Sequence, residues 1–178
     1  NVNVEGGLKV FGKQRVRDDH LGMGTVTIEK AFAKSSNVAF AKLINQYYHK
    51  DPMRYINHLR KLHLHQKTGI DLIGEDKPII KTTESKSWNK ITSLPWIAYG
   101  YESLITPLHT CMIYNAIAND GKLMKPYLVS AIQEYGQTIQ QIEPVVLESQ
   151  LAKKSTIQQL RKAMQAVVEE GTAKTVKS

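Results

Sequence analysis

The period of the apolar residues changes several times along the chain. Over the first 26 residues they alternate weakly, with Leu8, Val10 and Val16 set among charged and polar positions and Gly6-Gly7, Gly22 and Gly24 marking turns. This stretch predicts short strands or an extended lead-in. Thr27 stands where an N-cap is expected, and Glu29 falls in the first turn, where the helix dipole favours a carboxylate. A short helix over 28–34 follows. From Val38 the period becomes 3.6, placing Val38, Ala41, Ile44 and Tyr48 on one helical face. Ser35 or Ser36 can cap that helix. Asp51-Pro52 restarts a helix by the cap and first-turn proline rule, with Met53, Ile56, Leu59 and Leu62 facing inward.

From Leu64 to Pro95 the pattern is lost. Gly69, Gly74, Pro78 and the Ser/Thr/Lys-rich run 81–93 predict a long polar connection, of a length more often functional or mobile than inert. Order returns at Pro95 and continues through Glu102. Thr106-Pro107 opens a helix expected to bury Leu108, Cys111, Met112 and Ile117 and to close at Asn119-Asp120-Gly121. Leu123–Glu134 and Thr138–Ile142 read as two strands joined through Gly136 in a hairpin. Ser155-Thr156-Ile157-Gln158 has the form of a capping box. It introduces a helix with Ile157, Leu160, Met164, Val167 and Val168 on one face, ending at Gly171. The sum is a helix-rich α+β chain, without the strand–helix alternation of a doubly wound sheet.

Composition narrows the class. The chain has 178 residues, 42% hydrophobic and 22% charged, ordinary values for one globular domain or a large piece of one. Lys and Arg outnumber Asp and Glu by 24 to 16, a net charge of +8. That charge suits an anionic partner, but it is scattered, with no block of five or more like charges, so nucleic acid is not expected as a partner. Cys111 is the single cysteine, which excludes an internal disulfide, and its place on the helix predicts a small buried hydrophobe. No apolar run approaches the ~20 residues that span a bilayer, and no signal-peptide pattern is present. The first residue is Asn, and the chain is expected to be a piece excised from a longer protein.

Few polar groups are placed for chemistry. His63 and His65 are two apart, His49 and His58 nine apart, and neither spacing puts two ligands on one helix face, so no metal is expected. No Walker lysine or dinucleotide glycine motif occurs, and no cofactor is expected. Gly171-Thr172-Ala173-Lys174 reads as a helix C-cap running into a tail, and Trp88 and Trp96 as core anchors. Ser35-Ser36-Asn37 is left, a hydroxyl and a carboxamide two residues apart at the junction of two helical patterns. Helix capping accounts for such residues locally, and so does a compact polar site. The residues alone leave both readings open.

Three separated segments, however, resemble the transpeptidase domain of class B penicillin-binding proteins, division- or elongation-type. Ala31-Phe32-Ala33-Lys34-Ser35-Ser36-Asn37-Val38-Ala39-Phe40-Ala41-Lys42-Leu43 is similar to that family's second active-site motif, Ser-x-Asn. Ala98-Tyr99-Gly100-Tyr101-Glu102, Thr106-Pro107-Leu108 and Ala116 through Lys122 resemble its Gly-x-x…Thr-Pro-Leu…Ala-x-Asn-x-Gly stretch. Val167 through Lys174 is similar to the segment just before its third motif. The segments occur in the family's order over nearly the whole chain. Two motifs are missing. No Ser-x-x-Lys precedes Ser35, the one such pattern being Ser87-Trp88-Asn89-Lys90 downstream, and no Lys-[Thr/Ser]-Gly occurs before the chain stops at Lys177-Ser178.

The resemblance implies a partial penicillin-binding transpeptidase or serine β-lactamase-like fold, with residues 1–178 an internal part of a single domain. It implies a parent enzyme that cross-links peptidoglycan stem peptides by D-Ala-D-Ala transpeptidation through an acyl-serine. In that parent an upstream Ser attacks and its Lys serves as base. The Ser35 hydroxyl relays a proton to the leaving D-alanine, and the Asn37 carboxamide binds the donor peptide and helps to place the lysine. Tyr101 and the Gly100 turn border the cleft. Without the nucleophile, this chain alone is expected to be inactive and to acylate no β-lactam, although the parent would bind β-lactams covalently. The family's place is the outer face of the cytoplasmic membrane or periplasm, tethered by a segment outside this chain, beside cell-wall synthesis or divisome proteins. The alternatives are a serine β-lactamase or β-lactam sensor domain, and a non-catalytic basic binding module.

Overall fold

The computed structural model describes residues 1–20 and 22–176; Leu21 and the Lys177-Ser178 end lie outside the described residues. In chain order the elements are β1 (Val2–Asn3), β2 (Leu8–Phe11), β3 (Gln14–Arg17), β4 (Thr25–Val26), α1 (Ile28–Ala33), α2 (Asn37–Tyr48) and α3 (Pro52–Lys61). There follow β5 (Ile79–Ile80), α4 (Ser93–Ile97), β6 (Ser103–Leu104), α5 (Pro107–Ala118) and β7 (Leu123–Met124). Last come β8 (Ala131–Glu134), β9 (Gln137–Gln141), β10 (Val146–Glu148), α6 (Lys154–Glu169) and a 3-10 turn at Lys174–Val176. These form two compact units, one of residues 1–58, 80–104 and 158–178, the other of 59–79 and 105–157. The helix-rich α+β character read from the sequence holds.

The first unit is built on strand alternation that turns its branched and aromatic residues inward. β1 pairs antiparallel with β4, Val2 opposite Val26, and β2 pairs with β3 from Leu8–Arg17 to Phe11–Gln14. Val2, Val4, Phe11, Val16 and Val26 meet Ala31 of α1 and Val38, Ala39 and Ala41 of α2 in one core. Burying each Val or Phe is worth about 1.5–3 kcal/mol relative to exposure. The alanines do a different job: with no side chain beyond Cβ they let backbones come close, and Ala31, Ala33, Ala39 and Ala41 are fully buried. α4 packs on α2. At the far end of α2, Tyr48 packs at a tilt against Tyr55 and carries the Arg54 guanidinium over its ring. Burial, aided by Tyr48, pushes the Tyr55 hydroxyl up to about 12.

In the second unit Thr106 caps α5 by accepting from the His109 amide, with Pro107 in the first turn. α5 buries His109, Met112, Ala116 and Ile117, the expected burial of Met112 and Ile117 among them, and Met112 and Ala116 pack with Leu123, Leu147 and Leu151. Cys111 stands two positions, about 200°, around the helix from His109 and is exposed, contrary to the expected burial. His109 takes the inward place because both ring nitrogens are matched, Nδ1 with Thr106 Oγ1 and Nε2 with the Gln66 carbonyl, each at 2.8 Å. The hairpin through Gly136 is present as β8–β9. Tyr135 and Gly136 have φ of 49° and 80°, the left-handed pair of a two-residue primed turn.

The first hairpin strand is shorter than expected. Pro126 has no N–H for a ladder, and the run from Leu123 divides into β7, paired with β10, and β8. α6 begins at Lys154, so Ser155 lies inside the first turn instead of capping it. The polar connection is ordered through its carboxylates. Glu75 accepts from the Thr68 and Gly69 amides, and Asp71 from those of Leu128 (2.8 Å) and Val129 (3.3 Å). The Leu128 amide bond foremost holds the Asp71 carboxyl below its usual range.

Candidate active site

The turn between α1 and α2 is closed from both sides. At the end of α1, the Ser36 amide donates to the Ala31 carbonyl and the Ser35 amide to that of Phe32. This six-to-one and five-to-two pair is a Schellman motif, in which the residue after the cap adopts left-handed backbone and is usually glycine. Here it is Ser35, with φ of 53°. Left-handed backbone in a residue with a Cβ costs about 1–2 kcal/mol. Ser36 caps α2, its Oγ accepting from the Ala39 amide at 3.1 Å. Capping therefore explains Ser36 and leaves Ser35 unexplained, since the Ser35 side chain caps nothing and is exposed.

Arg17, the last residue of β3, and Asp18, just past it, hold the start of α2. The Asp18 carboxylate, 3% exposed, accepts from Ser36 Oγ at 2.7 Å and from the Val38 amide at 2.8 Å. Asn37 Nδ2 donates to the Arg17 carbonyl at 3.0 Å. The bond leaves Asn37 Oδ1 without a partner among the described residues. From the other side comes the chain after α6. The Thr172 amide donates to the Ala33 carbonyl, Lys34 Nζ donates to the Glu170 carbonyl at 2.5 Å, and the Thr172 and Ser35 hydroxyls lie 3.4 Å apart. Gly171 makes this approach possible, because a Cβ there would run into the Ala33 oxygen and the Val167 backbone. The Gly-Thr-Ala segment, read from the sequence as a tail, is in fact part of the wall of this turn.

Tyr101 belongs to the same unit but to another element. It follows Gly100, whose φ is 101°, and lies with its ring 5.3 Å from Tyr99 and 6.1 Å from Trp96. Tyr101 is exposed, whereas Trp96 and Tyr99 pack on the core beside α2. Burial, then Tyr101, raises the Tyr99 hydroxyl. Lys81 Nζ meets Glu102 at 2.6 Å beneath this cluster's chain. Ser35 and Asn37 are thus brought onto one turn, and Tyr101 stands on the neighbouring aromatic cluster.

Ser87-Trp88-Asn89-Lys90 lies in turns ahead of α4. Outside a helix, a serine and a lysine three apart are not stacked on one face, so this run lacks the geometry of a nucleophile and its base. Among the described residues no group of three or more His, Cys, Asp or Glu is arranged to hold a metal. A cavity of about 350 Å³ opens in the second unit, lined by Asp71, Lys125, Tyr127, Val129 and Ile132 among others, and none of the singled-out residues lines it. The residue that sequence reading missed is Asp18. Its one sequence signal is an acidic residue directly after a strand, which any surface loop also shows.

Comparison with known proteins gives a single answer. Residues 2–178 match the family model described as the penicillin binding protein transpeptidase domain. Penicillin-binding protein PbpB of Mycobacterium tuberculosis is 31% identical over 149 residues, covering 83% of this chain and 21% of that protein. Penicillin-binding protein H of Bacillus subtilis is 27% identical over 187 residues, 93% of this chain and 26% of that protein. The chain thus spans about a quarter of the length of such relatives. Among solved structures, apo penicillin-binding protein 3 of M. tuberculosis superposes with a TM-score of 0.77 at 27% identity, covering 95% of this chain and 36% of that one. The same protein has been solved complexed with ampicillin.

Proposed function

Since this chain belongs to the penicillin-binding protein transpeptidase domain family, we propose that it forms an internal part of one transpeptidase domain and carries the second of three catalytic motifs. The intact protein is a serine D-Ala-D-Ala transpeptidase acting on peptidoglycan stem peptides. The nucleophile comes from outside these residues, for no Ser-x-x-Lys stands ahead of Ser35. In acylation the nucleophilic serine attacks the carbonyl carbon of the penultimate D-alanine. As the C–N bond breaks, the Ser35 hydroxyl gives its proton to the departing D-alanine amine and is reprotonated by the lysine ammonium. Asn37 Oδ1, the free end of a carboxamide anchored on the Arg17 carbonyl, accepts from that ammonium or from the donor peptide N–H. Tyr101 offers an exposed ring to the cleft. The acyl group then passes to an acceptor amine, or is trapped when a β-lactam replaces the peptide.

One observation carries the proposal. Ser35 occupies a left-handed position that favours glycine, and its exposed side chain caps neither helix, its one partner among the described residues being the Thr172 hydroxyl at a long 3.4 Å. Strained non-glycine backbone of this kind concentrates at functional sites. Among the described residues no helix is long and apolar enough to cross a membrane. A tether supplied by another segment, with the domain on the outer face of the cytoplasmic membrane and in contact with cell-wall synthesis or divisome proteins, completes the proposal.

The test is covalent labelling by a fluorescent penicillin. The full-length protein is labelled and the 178-residue chain alone is not. In the full-length protein Ser35→Ala slows labelling about 10²–10⁴-fold, the range of a lost general acid–base group. Labelling of the isolated chain, or wild-type labelling by Ser35→Ala, overturns the reading.

A further inference from the structure

Asp18 is a buried carboxylate with no assigned task. It is 3% exposed, and among the described residues no salt bridge neutralises it. A lone buried carboxylate is expensive, and its presence requires compensation by hydrogen bonds and local dipoles. Both are on hand. Asp18 Oδ2 accepts the Ser36 hydroxyl proton at 2.7 Å, and Oδ1 accepts from the Val38 amide at 2.8 Å, one of the otherwise unmet donors at the start of α2. Asp18 is itself fixed, its amide donating to the Gly7 carbonyl at 2.8 Å beside the β2–β3 hairpin.

The consequence concerns direction as well as stability. Ser36 Oγ can act as donor to Asp18 and acceptor from Ala39 only in one rotamer. That bond, the Val38 bond and the Asn37–Arg17 bond hold three successive residues against residues 17 and 18. With Ser36 and Asn37 so held, and the Ser35 and Ser36 amides bonded to the end of α1, the left-handed backbone of Ser35 is constrained from both sides. We propose that Asp18 is a positioning residue for transpeptidation: acting through Ser36 and Val38, it sets the direction in which Ser35 Oγ and Asn37 Oδ1 point. The inference rests on the catalytic reading of Ser35 and Asn37 given above. It concerns orientation, so it bears on the rate of acylation and not on the affinity of the noncovalent complex.

The experiment uses the full-length protein and measures the acylation rate constant and the noncovalent dissociation constant for a chromogenic or fluorescent β-lactam separately, per folded molecule. Asp18→Asn keeps the shape but cannot accept two hydrogen bonds from Ser36 and Val38 in the same way. The acylation rate constant is expected to fall at least tenfold with the dissociation constant within twofold of wild type. Ser36→Ala, which removes the same contact from the other partner, is expected to fall in the same parameter. The double variant should be no worse than the poorer single one, the sign that both act through one bond. Ile56→Val in the core of the same unit supplies a variant destabilised by packing alone, and its rate constant is expected to stay at wild type.

Wild-type acylation by Asp18→Asn, or an equal fall in Ile56→Val, overturns the role of Asp18. Should Asp18→Asn fail to fold, Ser36→Ala decides: a wild-type rate constant there overturns the proposal as well. Slow acylation by Ser35→Ala alongside normal Asp18→Asn sinks only this inference. Normal acylation by Ser35→Ala sinks the catalytic reading beneath it.

Discussion

Ser35 and Tyr135 both hold left-handed backbone between two regular elements, with φ of 53° and 49°, and they are held by different means. Tyr135 sits in a two-residue hairpin turn whose closure is local, and its side chain is fully exposed above a strand, β9, that is exposed along its length. Ser35 is fixed by a Schellman pair on one side, by Thr172 from 137 residues away, and through Ser36 by a buried Asp18. Strain at Tyr135 follows from the turn, and another residue tolerant of that backbone would serve. Strain at Ser35 is imposed by several independent contacts, and a hydroxyl is what glycine would not provide there.

The strongest way to break this comparison is to place glycine at both positions in the full-length protein. Each change relieves left-handed strain, and melting stability is expected to stay level or rise by up to about 1 kcal/mol. Penicillin acylation should drop about 10²–10⁴-fold for Ser35→Gly and not at all for Tyr135→Gly. Equal behaviour of the two would show the strain at Ser35 to be as incidental as that at Tyr135. A smaller effect is expected in stability. Gly171→Ala forces a Cβ against the Ala33 carbonyl and the Val167 backbone, an overpacking expected to cost about 1–3 kcal/mol in denaturant titration. Gly136→Ala adds only the left-handed penalty of about 1–2 kcal/mol, with nothing within 4 Å of the new methyl. A larger loss for Gly136→Ala would reverse the ranking of the two turns.

The smallest effect concerns a carboxylate that binds backbone amides. Asp71 is solvent-exposed and its pKa is lowered, mainly by the Leu128 amide. A carboxyl more acidic folded than unfolded contributes stability above its unfolded pKa of about 3.9 and loses it as pH falls through the folded value. Asp71→Asn should therefore lower stability slightly at neutral pH, where the ionised carboxyl contributes, and flatten the acid limb below about pH 4, where the wild type has lost the same contribution. Melting curves taken across that window check it, and an unaltered acid limb would refute it.

Much of this was legible beforehand, for identifiable reasons. α1, α2 and α5 have polar N-caps and 3.6-residue periodicity, both written in neighbouring residues, and Tyr135-Gly136 announces its turn in the same way. The family motifs marked Ser35 and Asn37. On α5 Met112 and Ile117 are buried as expected, and the miss is Cys111, which is more apolar than His109, yet His109 is buried once Gln66, far off in sequence, supplies its second partner. Asp18 and the Gly171-Thr172 wall were illegible for one reason: their partners lie 18 and 136 or more residues away, beyond any local pattern. Local order is encoded locally. The closure of the α1–α2 turn is not.

The left-handed serine has an evolutionary consequence. If Ser35 acts as proposed, drift toward robustness in a copy of this chain released from that role would replace it by glycine while Ser36, which caps a helix and holds Asp18, would be kept. A Gly-Ser-Asn in place of Ser-Ser-Asn would then be the mark of a domain that kept its shape and retired from chemistry, readable in genomes without an assay.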